Sequence, residues 1–267
     1  MRFALINSGI GLLAAAAELR RLRPDADLVL AMDPDAMPWG PRTPAEIAER
    51  ALACATAAAE FRPDVMVMAC NTGSVHALDA LRAEFEPAIP VVGTVPAIKP
   101  AAASASAIAI WATEATTASA YQRRLIDEFA NGARVTPVAC PGLADAIDAG
   151  DQPAAAAAVT AGAGRTPADC QAVVLGCTEY ELAADMISAA VPGATMFSSA
   201  AAVAAQALRR APREPIAAAA AGTGSVSVLL SGRVADLPPA ALSYPAGRLL
   251  ARPAAERGLD PAGPAVA

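Results

Sequence analysis

Aromatic side chains make up only 4% of these 267 residues, which rules out a core built on stacked rings. The apolar share is nevertheless 55%, much of it alanine, so small and aliphatic side chains must fill the interior. Lysine occurs once, as Lys99, just before Pro100. Pyridoxal chemistry needs a Schiff-base lysine, and a Pro-flanked segment is a poor place for one. Histidine also occurs once, as His76; the chain has no Cys-x-x-Cys pair, so no zinc site of usual spacing can be assembled. Positive charge is scarce and almost wholly arginine, leaving a net charge of −6. A nucleic-acid partner would call for a concentrated basic surface. No apolar run is long enough to cross a bilayer. The apolar N-terminal run meets Asn7-Ser8-Gly9 too soon to be the core of a signal peptide. The expected compartment is the cytoplasm. There the five cysteines stay reduced and serve chemistry or packing rather than crosslinking.

Short apolar runs alternate with stretches rich in Ala, Leu, Glu and Arg. Strands are expected over 3–6, 27–32, 65–69, 91–95, 107–111, 134–138, 172–175 and 194–197, and helices over 12–23, 44–61, 75–84, 119–129 and 183–191. Uninterrupted apolar strands separated by helices imply parallel sheets covered on both faces, hence an α/β fold. Ala69-Cys70-Asn71-Thr72 and Gly176-Cys177-Thr178-Glu179 each close such a strand with a cysteine and polar neighbours. Cys70 lies 63 positions after Asn7, and Cys177 lies 64 after Thr113, where two other strands end in small polar residues. Matched spacing predicts two copies of one unit, related by a pseudo-two-fold, with a ligand site in the cleft between them at the carboxyl ends of the strands. The expected division is 1–98 plus about 200–245 for the first domain and 99–199 for the second. Segment 225–230 could return as a further strand. Residues 246–267 are expected to form a partly disordered tail.

Each cysteine has an ordinary reading as a small core residue. Cys54 fits a helix core, Cys140 a Cys-Pro-Gly turn, and Cys170 has no polar company. Cys70 and Cys177 differ because they hold equivalent places in a duplicated unit. A thiol at a strand end before a helix is favoured as thiolate, and two of them can serve opposite faces of one carbon. Other chemistries fit poorly. The Asn7-Ser8-Gly9-Ile10-Gly11 turn is no dinucleotide fingerprint, and no Walker lysine follows it. His76, six residues after Cys70, falls inside the next helix.

Six segments, in order, resemble the aspartate/glutamate racemase superfamily, and within it the glutamate racemases. They are Asn7-Ser8-Gly9-Ile10-Gly11-Leu12, Pro38-Trp39-Gly40-Pro41-Arg42, Ala69-Cys70-Asn71-Thr72, the run from Pro90 to Pro100, Ala112-Thr113-Glu114-Ala115-Thr116, and Val174-Leu175-Gly176-Cys177-Thr178-Glu179-Tyr180. The resemblance implies two similar α/β domains, no cofactor, a small amino-acid substrate, no nucleic-acid or membrane partner, and a homodimer as a candidate assembly. It implies a thiol pair, Cys70 and Cys177, assisted by Asn7 and Glu179. Substrate contacts are implied for Ser8, Trp39, Gly40, Asn71, Thr72, Thr113, Thr116 and Thr178, although the threonines can equally cap helices. In a glutamate racemase the product would supply D-glutamate to cell-wall precursors. Three positions depart from that pattern: Asn7 stands where an acidic residue is usual, Trp39 for tyrosine, and Glu179 for histidine. Cys-Thr-Glu is closer to the aspartate racemases. An aspartate racemase, a racemase of another amino acid, a decarboxylase on the same fold and a non-catalytic small-acid binder therefore stand as alternatives.

Overall fold

The structure, a computed structural model, describes residues 1–212 and 224–251. Its strands are β1 (Arg2–Asn7), β2 (Asp27–Met32), β3 (Val65–Met68), β4 (Val91–Gly93), β5 (Ala107–Ala112), β6 (Arg134–Ala139), β7 (Ala172–Leu175), β8 (Thr195–Phe197), β9 (Val226–Leu230) and β10 (Arg233–Ala235). They form two sheets, ordered β10-β9-β2-β1-β3-β4 and β6-β5-β7-β8. Every pairing is parallel except β9 with β10. The protein is thus α/β, with parallel sheets flanked by helices. Contacts divide it into two compact units: Met1–Thr94 with the described residues from Ala200 on, and Val95–Ser199. The order β2-β1-β3-β4 recurs as β6-β5-β7-β8, so the repeat seen in the sequence is a repeat of topology.

In the first unit, β1 is buried along almost its whole length. Its alternate residues Ala4 and Ile6 join Ile47, Ala51, Cys54 and Ala55 of the helix Pro44–Ala59 in one core cluster. Thr43 and Glu46 start that helix with a reciprocal capping box, and Pro44 stands at its first turn. In the second unit, Ile108 and Ile110 of β5 pack with Leu125, Val174 and Phe197. Trp111, on the other face of β5, is fully buried and donates its indole N–H to Thr166 Oγ1 at 2.9 Å.

The structure differs from the sequence reading in definite places. The strand expected to reach residue 95 stops at Gly93, because Thr94 turns its N–H to Ser74 Oγ (2.8 Å) and its hydroxyl to the Met68 carbonyl (2.8 Å). The helix expected over 75–84 is two helices, Asn71–His76 and Leu78–Phe85; the first begins four residues early, on a cap supplied by Cys70. Leu143–Ala149 and Gln152–Ala163 are helices with no counterpart in the reading, the second so rich in alanine that its faces hardly contrast. The expected tail opens instead on a helix, Pro245–Ala251. The rest of it, 252–267, lies outside the described residues. Among the described residues, no helix is long and apolar enough to cross a membrane.

Candidate active site

In each sheet the strand order reverses around one central pair, β1 with β3 and β5 with β7. At such a reversal the loops leaving neighbouring strands of an open α/β sheet run to opposite sides, which makes the carboxyl ends the usual place for a ligand. β1 ends on Asn7 and Ser8 follows it; the loop after β3 carries Cys70, and Asn71 and Thr72 open the helix Asn71–His76. The two loops are bonded directly. Ala69 N–H donates to the Ile6 carbonyl (2.9 Å), and Asn7 Nδ2 donates to the Ala69 carbonyl (2.8 Å). Asn7 Oδ1 accepts from the Ser8 N–H at 2.7 Å. Asn7 is wholly buried and an amide, so it fixes the residue before Cys70 rather than exchanging protons with it. Cys70 is itself the cap of the helix Asn71–His76, its Sγ accepting from Gly73 N–H at 3.4 Å. That amide favours the thiolate form.

A side chain at Gly73 would force its neighbours to shift. A Cβ there would stand 2.4 Å from Met68 Sδ and 3.1 Å from the Trp39 ring. Trp39, for which a substrate contact is implied, lies buried in the loop cluster. It is 1% exposed, and its indole N–H goes to Asp33 Oδ2 at 3.0 Å, so what it supplies to this loop cluster is packing. Gly40, beside it, is half-buried in the following turn.

Asp33 escaped the sequence reading. Its carboxylate is fully buried at the end of β2. It accepts from Trp39, from Arg50 Nε (2.8 Å) and Nη2, and from Ser231 Oγ (3.2 Å). Its own N–H donates to the Ser8 carbonyl at 3.1 Å. Burial pushes its pKa up, but the donors of Arg50 and Trp39 prevail and hold it below the usual aspartate value. An aspartate at a strand's carboxyl tip was the available signal. Replacing Asp33 by alanine is expected to cost about 1–3 kcal/mol through the buried indole N–H left unpaired. Urea unfolding of the variant measures this, and an unchanged midpoint would contradict it.

The second unit repeats the arrangement with different chemistry. Gly176 N–H donates to the Trp111 carbonyl at 2.7 Å, and a Cβ on Gly176 would stand 2.8 Å from that same oxygen. Only glycine lets β7 end so close to β5, which sets Cys177 beside the loop carrying Thr113. Thr113 caps the helix Glu114–Ala118 by accepting from Thr116 N–H (3.3 Å), and the two threonine hydroxyls bond at 3.0 Å. Capping is thus their observed role, and it leaves hydroxyls at the strand tip. Partly buried Cys177 donates to Glu179 Oε2 at 2.8 Å, and the buried Thr178 hydroxyl lies 3.4 Å from the same oxygen. Tyr180 anchors this turn from below, fully buried, with its hydroxyl on the Cys140 carbonyl at 3.2 Å. Burial drives its pKa far up, so it stays a neutral donor.

Burial also sorts the other thiols. It pushes Cys54 and Cys140 up to about 12 and raises Cys170, so none of these three ionises readily. His76 ends its helix exposed. Among the described residues, no group of three or more His, Cys, Asp or Glu side chains could hold a metal ion.

Known proteins resemble this chain over most of its length. The model of the Asp/Glu/hydantoin racemase family matches residues 7–207. Glutamate racemase of Pseudomonas putida is 36% identical over 211 residues, covering 77% of this chain and 79% of that protein. Glutamate racemase of a Roseiflexus species is 38% identical over 209 residues, covering 76% of each. Among solved structures, Escherichia coli glutamate racemase in complex with L-glutamate and the activator UDP-MurNAc-Ala superposes with a TM-score of 0.77. That match has 30% identity and covers 91% of each chain.

Proposed function

The chain belongs to the Asp/Glu/hydantoin racemase family, and from that premise we propose that it interconverts L- and D-glutamate with Cys70 and Cys177 as opposed acid–base groups and no cofactor. The observation that carries this reading is the contact of Cys177 Sγ with Glu179 Oε2 at 2.8 Å, on a turn equivalent to the one that presents Cys70. Glu179 takes the Cys177 proton and leaves a thiolate. The thiolate removes the α-proton of L-glutamate, and the Cys70 thiol protonates the carbanion from the opposite side. The reverse direction starts from the Cys70 thiolate, supported by Gly73 N–H. One proton leaves carbon and one returns, so the step balances without a redox partner. Backbone amides and the hydroxyls of Ser8, Thr72, Thr113, Thr116 and Thr178, with the Asn71 amide, supply neutral donors suited to a dicarboxylate. The product would feed cell-wall precursor synthesis in the cytoplasm.

Incubation with L-glutamate in heavy water tests the reading. Deuterium at the α-carbon with loss of optical rotation is the expected result. Exchange with aspartate alone would move the substrate, release of carbon dioxide would move the reaction, and no change with either amino acid would leave only a binder.

Glu179→Gln makes a finer test. An amide cannot take the thiol proton, so Cys177 loses its local base while Cys70 keeps its surroundings. Net racemisation must slow equally in both directions, because the equilibrium constant between enantiomers is one. Elimination of chloride from a β-chloroglutamate needs only one base, and should fall for the L-enantiomer by about 10²–10⁴-fold with the D-enantiomer little changed. Equal rates in wild type and variant would reduce Glu179 to a capping role.

A further inference from the structure

The two cysteines share a feature that neither motif announces: the residue four places after each is bonded to the residue that follows the neighbouring strand. In the first unit that residue is Ser74. Its hydroxyl donates to the Met68 carbonyl at 3.1 Å and accepts the Thr94 N–H at 2.8 Å, and Thr94 follows β4 directly. In the second unit it is Glu181. Its carboxylate accepts from Ser198 Oγ (2.8 Å), Ser199 N–H (2.9 Å) and Ser199 Oγ (2.6 Å), and Ser198 follows β8 directly. Strands β3 and β4 are neighbours in one sheet, as β7 and β8 are in the other. Each clip therefore joins a cysteine loop to the tip of an adjacent strand within its own unit.

The clips differ in chemistry in a way that matches the loops they hold. Cys70 begins a regular helix whose own hydrogen bonds fix most of the turn, and one neutral hydroxyl completes it. Cys177 lies two residues before a short 3-10 segment, Glu179–Ala183, whose hydrogen-bond geometry is poorer. Glu179 and Glu181 lie on that segment and make opposite bonds, one to the thiol and one to the β8 tip. Charge-assisted bonds to a carboxylate are stronger than neutral ones, and the weaker turn receives them.

We propose that Ser74 and Glu181 are paired positioning residues, each setting the reach of one thiol and therefore of one half-reaction. This rests on the two-thiol reading above. A displacement of about 1 Å at a reacting group can cost about 100-fold. Glu181→Gln is therefore expected to lower chloride elimination from the L-enantiomer of β-chloroglutamate by about 10–100-fold and to spare the D-enantiomer. Ser74→Ala should do the reverse. Glu181→Asp, with the charge kept, should recover part of the loss. In each variant the untouched half-reaction controls for folding. Should Glu181→Gln fail to fold, Ser198→Ala opens the same clip from the other strand, and Thr94→Val does so for Ser74.

Iodoacetamide labelling of Cys70 and Cys177, read peptide by peptide by mass spectrometry, separates this inference from the reading beneath it. If the wild type does not act on glutamate but each variant changes the labelling rate of its own cysteine alone, the racemase reading fails and the clips stand. If the wild type racemises and each variant depresses both half-reactions and both labelling rates alike, the pairing is overturned.

Discussion

Replacement of Cys70 or Cys177 by serine is expected to abolish racemisation in both directions. A hydroxyl has nearly the volume of a thiol, so neither packing nor fold should change much. Its proton, however, is held far too tightly for it to act as a base near neutrality. Positioned acid–base groups contribute about 10²–10⁴-fold, and net inversion needs both of them in every turnover. The informative residue of activity is one-sided. Cys70→Ser should still eliminate chloride from L-β-chloroglutamate, because Cys177 and Glu179 are intact; Cys177→Ser should still do so from the D-enantiomer. Measurable racemisation at similar residual rates in both variants would show that a different pair of groups does the chemistry.

The largest loss of stability is expected from Trp111→Ala. Trp111 is 0% exposed on the central strand β5, where the other residues on its face of the strand, Ala107 and Ala109, are small. Its ring lies so close to the helix Gln152–Ala163 that a Cβ on Gly162 would be 2.9 Å from it. The Thr166 hydroxyl takes its indole N–H and passes a hydrogen bond on to the Gly162 carbonyl at 3.1 Å. Truncation leaves a cavity that backbone this close to the sheet cannot collapse into, at a cost of about 3–5 kcal/mol. Urea titration followed by circular dichroism measures the shift. A change under about 1 kcal/mol would mean that the alanine-rich helix moves in to fill the space, at variance with the dense packing of protein interiors.

Strands were legible in this sequence because burial on both faces leaves an unbroken apolar run, as in Phe3, Ala4, Leu5 and Ile6. The two equivalent cysteine turns were legible because duplication repeats a spacing, and spacing survives without any knowledge of contacts. The burial of Trp39 was hidden for a reason of the same kind. Its place in a motif says where the residue lies along the chain, whereas the direction of its N–H depends on Asp33. Asp33 in turn depends on Arg50, 17 residues on, and Ser231, 198 residues on. Pairings at such separations leave no local pattern. The helices Leu143–Ala149 and Gln152–Ala163 were missed because alanine marks neither a buried nor an exposed face. The clips at Ser74 and Glu181 were invisible because a hydroxyl and a carboxylate in matched positions share no residue type.

The chain has two tryptophans, and the fold has put one in each compact unit, Trp39 in the first and Trp111 in the second, both shielded from water. The indole of Trp39 rests against Gly73, the residue whose amide holds Cys70. Trp111 offers its carbonyl to Gly176, next to Cys177. Intrinsic fluorescence is thus already partitioned between the halves of the molecule. A Trp39→Phe chain emits from the surroundings of Cys177 alone and a Trp111→Phe chain from those of Cys70 alone, so the melting of either half and the arrival of a ligand at either thiol can be followed without attaching a dye.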